Sequence, residues 1–249
     1  WHVLEHRYDY YKKAIPEMIK AIGVNINELE IIKGSDFQLK PEYMHDILRM
    51  SSNVSIHDAK KAASDVVKEL DNPKLSGLIY PLMQAVDEEY LKVDAQLGGT
   101  DQRKIMVFAR ENLPKIGYSA RIEIMHSLVP GLTGDKMSAS DEESKIDILD
   151  DELTVSKKIN KAYCLEGDSN NGIMAFLKYV IMTIKKDKKE KFVIKREKKY
   201  GDDVSYSNYE EIEKDFIARR LHPHDLKQAV AIEINNLLNK IDKKKLKKL

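Results

Sequence analysis

The sequence predicts an α/β protein with a parallel sheet in its first part and a mainly helical second part. Up to about residue 152, short strand-like segments alternate with longer amphipathic segments, which is the pattern of a parallel sheet. After residue 152 the apolar residues recur at helical spacing almost throughout. With 249 residues, the chain is long enough for one large domain or two modest ones.

In the first part of the chain, two kinds of segment alternate. Stretches in which apolar residues recur every three to four positions predict helices at 3–22, 76–90 and 101–113, with two or three more inside 41–70. Short apolar or alternating stretches predict strands at 29–32, 91–95 and 121–125. Ligands of a parallel sheet bind beyond the carboxyl ends of its strands, so the segments that follow these strands are the candidate site.

The second part is predicted to be α-rich, with helices at 155–164, 173–184, 209–216 and 223–238. Residues 185–199 contain nine basic and three acidic side chains, a local charge of +6. The whole chain carries only +1, so nucleic-acid binding must depend on local patches such as this run. The alternative is a solvated lysine run, which is the commoner fate of such stretches.

Composition excludes several classes of protein. The lone cysteine, Cys164, rules out an internal disulfide and any multi-cysteine metal site, and no structural zinc is expected. No apolar run approaches membrane-spanning length, and the first residues do not resemble a signal peptide. We therefore expect a cytoplasmic protein with no membrane association.

The most informative segment is the helix predicted at 76–90. Tyr80, Gln84 and Asp87 fall at positions i, i+4 and i+7, so a phenol, an amide and a carboxylate share one helix face among apolar neighbours. This pattern indicates recognition of a small polar ligand. The alternative is an ordinary amphipathic helix in which Asp87 is capped or solvated.

Two later segments extend this pattern. Gly98 and Gly99 precede Asp101 and Gln102, and paired glycines allow a backbone to approach a ribose or a carboxylate closely. The basic, serine-rich segment 136–140 is of the kind that holds phosphates. Together the segments predict a site that joins an amino acid to a nucleotide. The alternatives are a helix start with Asp101 in its first turn, and a serine-rich loop that caps a helix.

The order and spacing of these motifs resemble those of tyrosyl-tRNA synthetases of the archaeal and eukaryotic type, which are class I aminoacyl-tRNA synthetases. Any one motif is weak evidence, but in series they are specific. The matching segments are 34–39, 80–87, 90–94, 98–104, 136–140 and 221–227.

The resemblance implies a fold and a function. The expected fold is α/β, with a partial Rossmann-like parallel-sheet catalytic domain at 1–152 followed by an α-helical anticodon-binding domain at 153–249. A helical insertion at about 35–75 resembles the family's dimerisation region, so a homodimer is expected. The implied activity is that of a tyrosine-tRNA ligase, which activates L-tyrosine with ATP and transfers it to tRNA(Tyr). ATP with Mg²⁺ would enter as a substrate complex, and no tightly bound cofactor is expected.

The resemblance also implies roles for individual residues. The tyrosine-binding residues would be Tyr80, Gln84, Asp87, Gln102, Phe37 and Gln38. The ATP-binding residues would be Gly99, Asp101, Leu128, Val129, Lys136 and Met137, with Lys136, Ser138 and Ser140 in the catalytic role. The tRNA-binding residues would be Arg103, Lys104, Tyr200, His222 and Asp225.

One family motif does not occur in this sequence. Class I synthetases carry a His-Ile-Gly-His-like ATP motif near the N-terminus, and this chain opens at Trp1 without one. We therefore expect that an N-terminal segment is missing and that ATP activation by this chain is impaired. A non-catalytic tRNA-binding or signalling fragment is the main alternative function, and a tryptophanyl-tRNA synthetase is a more distant one.

Overall fold

A computed structural model describes residues 2–67, 72–133, 142–196 and 198–246. Contacts between residues divide the chain into two compact units. The first unit consists of Trp1–Glu30 and Val129–Leu249, and the second unit is Ile31–Leu128. The boundary predicted near residue 152 is between two functional domains, which need not coincide with these two compact units. That boundary stays a prediction.

Twelve α-helices lie in the described part of the chain. They are α1 (His2–Ala21), α2 (Ser35–Gln38), α3 (Pro41–Ser51), α4 (Ile56–Ala63), α5 (Leu75–Tyr90), α6 (Arg103–Asn112), α7 (Glu152–Lys161), α8 (Gly172–Phe176), α9 (Met182–Lys188), α10 (Tyr209–Ile217), α11 (Pro223–Leu238) and α12 (Lys243–Leu246). A π-helical turn, Leu177–Ile181, joins α8 to α9. No helix within the described ranges is both long and apolar enough to cross a membrane.

Two small sheets accompany the helices in the residues that the structure describes. In the second unit, β1 (Ala95–Gly99) pairs in parallel with β2 (Ile122–His126), with Gly99 opposite His126. In the first unit, β3 (Phe192–Ile194) and β4 (Val204–Tyr206) form an antiparallel pair. The parallel pair agrees with the predicted sheet type, and its carboxyl end at Gly99 leads directly into the segment with Asp101 and Gln102.

The core of the second unit lies between α3, α4, α5 and α6. Its buried side chains come from the inward faces of these helices and include Tyr43, Met50, Leu82 and Phe108. Helix α6 packs closely on β1: a methyl group built on Gly98 would lie 2.6 Å from the Met106 side chain. A larger residue at position 98 would therefore force the Met106 side chain to move.

A buried carboxylate stabilises the same unit. Asp46 is 4% exposed and accepts hydrogen bonds from the hydroxyls of Tyr90 at 3.0 Å and Tyr118 at 2.5 Å, and from Arg49 at 2.8 Å. Burial favours the neutral acid, but the three donors outweigh burial and lower the pKa of Asp46. The cluster joins α3 to the end of α5 and to the segment before β2.

The first unit has its own core. Helix α11 lies against α7, and the turn between α8 and α9 packs on α11. The buried side chains of this core include Val155, Leu177, Phe192, Phe216 and Val230. This packing is mainly helical, as the sequence predicts for the second part of the chain.

The predicted helices are confirmed, but two predicted strands are wrong. Residues 29–32 form no strand, Ile32 is 51% exposed, and within the described residues no neighbouring strand supplies the hydrogen bonds that an isolated apolar run needs. The alternation at 91–95 belongs to the end of α5, where Leu91 caps the helix and Lys92 turns the chain with a φ of 53°. The strand therefore begins only at Ala95. The short β3–β4 pair was not predicted.

Candidate functional site

Helix α5 presents the three predicted polar side chains on one face. Tyr80 lies in its first half and Gln84 and Asp87 in its second half, while Leu82, Ala85 and Val86 on the other face are buried in the core of the second unit. Tyr80 is 46% exposed, whereas Gln84 and Asp87 are half-buried. The amphipathic spacing thus places Gln84 and Asp87 where water is partly excluded and hydrogen bonds are stronger.

Two neighbouring residues hold the carboxylate of Asp87. The side-chain amide of Gln38 donates to Oδ1 at 2.9 Å and to Oδ2 at 3.1 Å. The hydroxyl of Tyr43 donates to Oδ1 at 2.7 Å and lies 2.8 Å from the carbonyl oxygen of Met83. The structure therefore brings Gln38 and Asp87 together, as expected for one site, and adds Tyr43.

Gln84 and Gln102 also meet, because the turn after β1 faces helix α5. The Gln84 amide nitrogen donates to the Gln102 side-chain oxygen at 3.3 Å. The Gln84 side-chain oxygen is buried and accepts no hydrogen bond from the described residues. A buried acceptor without a donor costs free energy, so the free site favours a ligand that brings a donor such as an ammonium group.

The phenol of Tyr80 responds to charges on both sides. Partial burial raises its pKa, and the negative charges of Asp87 and Asp101 raise it further. Tyr80 therefore remains a neutral hydrogen-bonding group under the influence of two carboxylates. The predicted tyrosine-binding and ATP-binding residues thus approach one another along one side of α5.

Three predicted ATP-binding residues converge at the end of β1. A methyl group built on Gly99 would lie 2.6 Å from Asp101 Oδ1 and 2.8 Å from the Leu128 side chain. Gly99 is buried, so only glycine leaves room for these two side chains. Val129 is half-buried and belongs to the first unit, so its predicted ATP contact stays a prediction.

Phe37 lies in an aromatic cluster. Its ring is 5.7 Å from the ring of Tyr43 in an edge-to-face arrangement and 6.3 Å from the ring of Tyr90 in a stacked one. Phe37 therefore packs against Tyr43 and Tyr90, and its predicted contact with tyrosine stays a prediction.

Sequence reasoning missed Tyr43. Tyr43, Ile47 and Met50 recur at helical spacing along α3 and are all buried, so the tyrosine had the appearance of an ordinary core residue. A polar hydroxyl on an otherwise apolar stripe was the available signal, because a buried tyrosine usually finds a partner for its hydroxyl. Only the fold shows that this partner is Asp87.

The predicted phosphate-binding segment cannot be compared with the structure. Lys136, Met137, Ser138 and Ser140 lie outside the described residues. Their catalytic and ATP-binding roles stay predictions.

Two predicted tRNA-binding residues lie together at the start of α6. Arg103 and Lys104 line an open groove of about 510 Å³ between α4 and α6. The Lys104 ammonium is 2.6 Å from the Ser64 hydroxyl and 2.8 Å from Asp65 Oδ1. Lys104 would have to exchange these partners before it could contact a phosphate.

The remaining predicted tRNA-binding residues belong to the first unit. His222 and Asp225 line a cavity of about 590 Å³ at the start of α11, together with three arginines. Arg196 Nε lies 3.8 Å from Asp225 Oδ2, and His222 caps α11 by accepting from the His224 amide. Tyr200 ends a short 3₁₀ turn, and its side chain lies outside what the structure describes. A cavity lined by three arginines and two acidic side chains suits an anionic ligand that also carries hydrogen-bond donors on its edge, such as a nucleotide.

The family follows from comparison with known proteins. Residues 1–239 match the model of the family described as tRNA synthetases class I (W and Y). The chain belongs to this family of class I tRNA synthetases.

Two similar proteins of the family carry the name tyrosine–tRNA ligase. The chain is 51% identical to the cytoplasmic tyrosine–tRNA ligase of Danio rerio over 100% of this chain and 47% of that protein. It is 48% identical to the cytoplasmic tyrosine–tRNA ligase of Saccharomyces cerevisiae over 96% of this chain and 62% of that protein. The chain thus spans about half the length of the curated relatives it matches.

A solved structure agrees. The tyrosyl-tRNA synthetase of Archaeoglobus fulgidus complexed with L-tyrosine superimposes with a TM-score of 0.85 at 36% identity, over 97% of this chain and 77% of that one. The expected family and the parallel-sheet class I fold are therefore confirmed.

Proposed function

We propose that this chain is the tyrosine- and tRNA-binding part of a tyrosine-tRNA ligase. Such an enzyme activates L-tyrosine with ATP to tyrosyl-adenylate and transfers the tyrosyl group to tRNA(Tyr). The observation that supports the proposal best is the carboxylate of Asp87, held by Gln38 on the face of α5 that also carries Gln84, whose side-chain oxygen has no partner among the described residues. The Archaeoglobus fulgidus enzyme, to which the chain is similar, was solved with L-tyrosine bound.

The polar groups match the two ends of tyrosine. Asp87 accepts a hydrogen bond from the phenol hydroxyl, while Tyr80, Gln84 and Gln102 bind the α-ammonium. Phenylalanine would leave the Asp87 acceptor without its donor. Sites that bind a substrate hydroxyl in this way reject the analogue that lacks it by ~10⁴–10⁵, a range for which a tyrosyl enzyme is itself the standard example. An indole N–H needs no such arrangement, which argues against a tryptophan enzyme.

The chemistry proposed for ATP requires no covalent enzyme intermediate. An oxygen of the tyrosine carboxylate attacks the α-phosphorus, and pyrophosphate leaves. Gly99 and Asp101 would bind the ribose, with Leu128 and Val129 beside the adenine. Catalysis then rests on position and on charge stabilisation, to which Lys136, Met137, Ser138 and Ser140 would contribute. Mg²⁺ would enter as part of the ATP complex.

The helical part is proposed to bind the anticodon of tRNA(Tyr). Asp225 would accept from the edge of the first anticodon base, and Tyr200 and His222 would pack against it. Arg103 and Lys104 would face the acceptor stem. In this arrangement residues 1–152 form the catalytic domain and residues 153–249 the anticodon-binding domain.

A homodimer and a cytoplasmic location complete the proposal. Within the insertion at about 35–75, several large apolar side chains are exposed, namely Leu39, Met44, Leu48, Ile56 and Leu75. A segment that exposes several large apolar side chains is a candidate for an interface. The similar proteins of Danio rerio and Saccharomyces cerevisiae carry the word cytoplasmic in their names.

The test is tyrosine-dependent exchange of pyrophosphate into ATP by this chain, with phenylalanine and tryptophan as controls. Exchange with tyrosine alone would establish activation, and Asp87→Ala should then abolish the selectivity. Exchange with all three amino acids would contradict the proposed tyrosine site.

A second candidate function is a non-catalytic tRNA-binding or signalling fragment. The arginine-lined cavity at α11 favours it, because this cavity requires nothing from the ATP site. Binding of tRNA(Tyr) without any exchange, and without protection against thermal unfolding by excess ATP, would support this alternative.

A further inference from the structure

We propose that Tyr43 is a positioning residue for substrate selection, which aims the Asp87 carboxylate so that its Oδ2 atom can accept from the phenol of the ligand. This inference rests on the proposed function, because it concerns how the same site distinguishes tyrosine from phenylalanine. Tyr43 lies on α3, 44 residues before Asp87, and no pattern in the sequence assigns it to the site.

The hydroxyl of Tyr43 fixes one side of the carboxylate. It lies 2.7 Å from Asp87 Oδ1 and 2.8 Å from the carbonyl oxygen of Met83. Met83 precedes Asp87 by one helical turn, so the single proton of the Tyr43 hydroxyl faces a side-chain and a backbone acceptor of α5 at this level, with the charged carboxylate the nearer and stronger of the two. The carboxylate therefore cannot rotate without breaking the bond to Tyr43.

The distribution of hydrogen bonds leaves one oxygen for a ligand. A carboxylate offers about two acceptor positions on each oxygen. Counted over the described residues, Oδ1 accepts from Gln38 and Tyr43, whereas Oδ2 accepts only from Gln38, at 3.1 Å. Oδ2 can therefore accept a further hydrogen bond from a phenol hydroxyl. Because Tyr43 already occupies Oδ1, the phenol of the ligand binds Oδ2 and not Oδ1.

Tyr43 is a permanent donor. Its side chain is 0% exposed, and burial together with the adjacent Asp87 carboxylate raises the pKa of the phenol well above its ordinary value. The hydroxyl therefore stays protonated over the whole physiological range, and the orientation of Asp87 does not change with pH through this group.

The surrounding rings provide a matched control. The ring of Tyr43 packs edge-to-face on Tyr90 with ring centres 4.9 Å apart, and on Phe37 at 5.7 Å. Phenylalanine at position 43 would keep this packing and lose only the hydroxyl. Tyr90→Phe also removes one hydroxyl from the same cluster, but that hydroxyl binds Asp46 and not Asp87.

The experiment compares the wild-type chain with Tyr43→Phe and Tyr90→Phe. Calorimetry measures the affinity of each for L-tyrosine and for L-phenylalanine, and denaturation measures stability. We expect the preference for tyrosine to fall about 10-fold in Tyr43→Phe, the order expected for a lost hydrogen bond to a charged group, and to stay unchanged in Tyr90→Phe. In the Asp87→Asn background, Tyr43→Phe should cause little further change, because both act through one contact.

The outcomes separate the two proposals. An unchanged preference in Tyr43→Phe, or an equal loss in Tyr90→Phe, would overturn the positioning role and leave the tyrosine site intact. A wild-type chain without preference for tyrosine would overturn the proposed function, and the inference with it. The positioning role would be established if only Tyr43→Phe lowered the preference for tyrosine, if stability stayed unchanged, and if the loss disappeared in the Asp87→Asn background.

Discussion

Gln38 donates its side-chain amide to both carboxylate oxygens of Asp87, at 2.9 and 3.1 Å, although 49 residues separate them in the chain. The bond links the short helix α2 to α5 and orients the acceptor on which the proposed recognition of tyrosine depends. Gly34 makes this possible, because a methyl group at that position would lie 2.8 Å from the Gln38 side-chain oxygen. Three groups thus orient Asp87: the Gln38 amide and the buried phenol of Tyr43 donate to it, and Gly34 leaves room for the amide.

Gly34→Ala is expected to weaken binding of L-tyrosine by about 10-fold, because the new methyl group displaces the Gln38 amide from Asp87. The free energy of unfolding should change little. Gly34 has helical backbone angles, φ −53° and ψ −42°, which alanine adopts without strain. Calorimetric titration with L-tyrosine and urea denaturation measure the two effects. In a Gln38→Ala background, Gly34→Ala should no longer alter the affinity; a further loss there would show that the methyl group acts elsewhere.

Gln84→Leu should weaken binding of L-tyrosine with little effect on stability. The variant removes a buried oxygen that accepts no hydrogen bond from the described residues, but it also removes the hydrogen bond to Gln102, so the free energy of unfolding of the free chain should change by less than about 1 kcal/mol. Affinity for L-tyrosine should fall about 10-fold or more, because the ammonium group loses its acceptor. The deaminated analogue of tyrosine is the control ligand, and its affinity should not change. Equal loss for both ligands would contradict the assignment of Gln84 to the ammonium.

Glu88→Gln should stabilise the chain at neutral and higher pH. Glu88 is 5% exposed, and burial raises the pKa of its carboxyl to about 7, with Arg121 opposing and Glu123 adding to the shift. A raised folded-state pKa means that the stability present below pH 4.5 is lost as the pH rises through 7. The gain from Glu88→Gln should therefore be near zero at pH 4 and about 3 kcal/mol at pH 8.

Urea denaturation at the two pH values measures this gain in the free energy of unfolding. Glu111→Gln on the exposed side of α6 is the matched control, with an expected change below about 0.5 kcal/mol. A gain from Glu88→Gln that is the same at both pH values would show that burial does not control this carboxyl.

Asp225→Asn should weaken tRNA(Tyr) binding by about 10- to 100-fold and leave tyrosine-dependent pyrophosphate exchange unchanged. The carboxylate lies in the arginine-lined cavity of the first unit, whereas the residues proposed for tyrosine lie in the second. Changing the first anticodon base of the tRNA should lower its affinity for the wild type. The same base change should lower the affinity for Asp225→Asn by a smaller factor. If exchange and tRNA binding fell together, the anticodon assignment would be wrong.

The sequence was sufficient for the elements that depend on local patterns. Helix α5 and its polar face follow from the spacing of Tyr80, Gln84 and Asp87, because helical geometry alone places residues four and seven apart on one side. Strand prediction failed at 29–32 and 91–95, since a strand requires a partner that the local sequence does not contain. The alternating residues that predicted a strand at 91–95 instead form the turn that follows the end of α5 at Tyr90.

By itself the sequence determined the family, the helical framework and the residue types that can contact tyrosine, because motifs and periodicity are properties of neighbouring positions. Tertiary structure alone decided that Tyr43 and Gln38 hold Asp87, that the Gln84 oxygen has no partner in the part of the chain that the structure describes, and that Glu88 is buried. Hydrogen bonds and burial join residues tens of positions apart, and which distant side chains meet depends on how the helices pack.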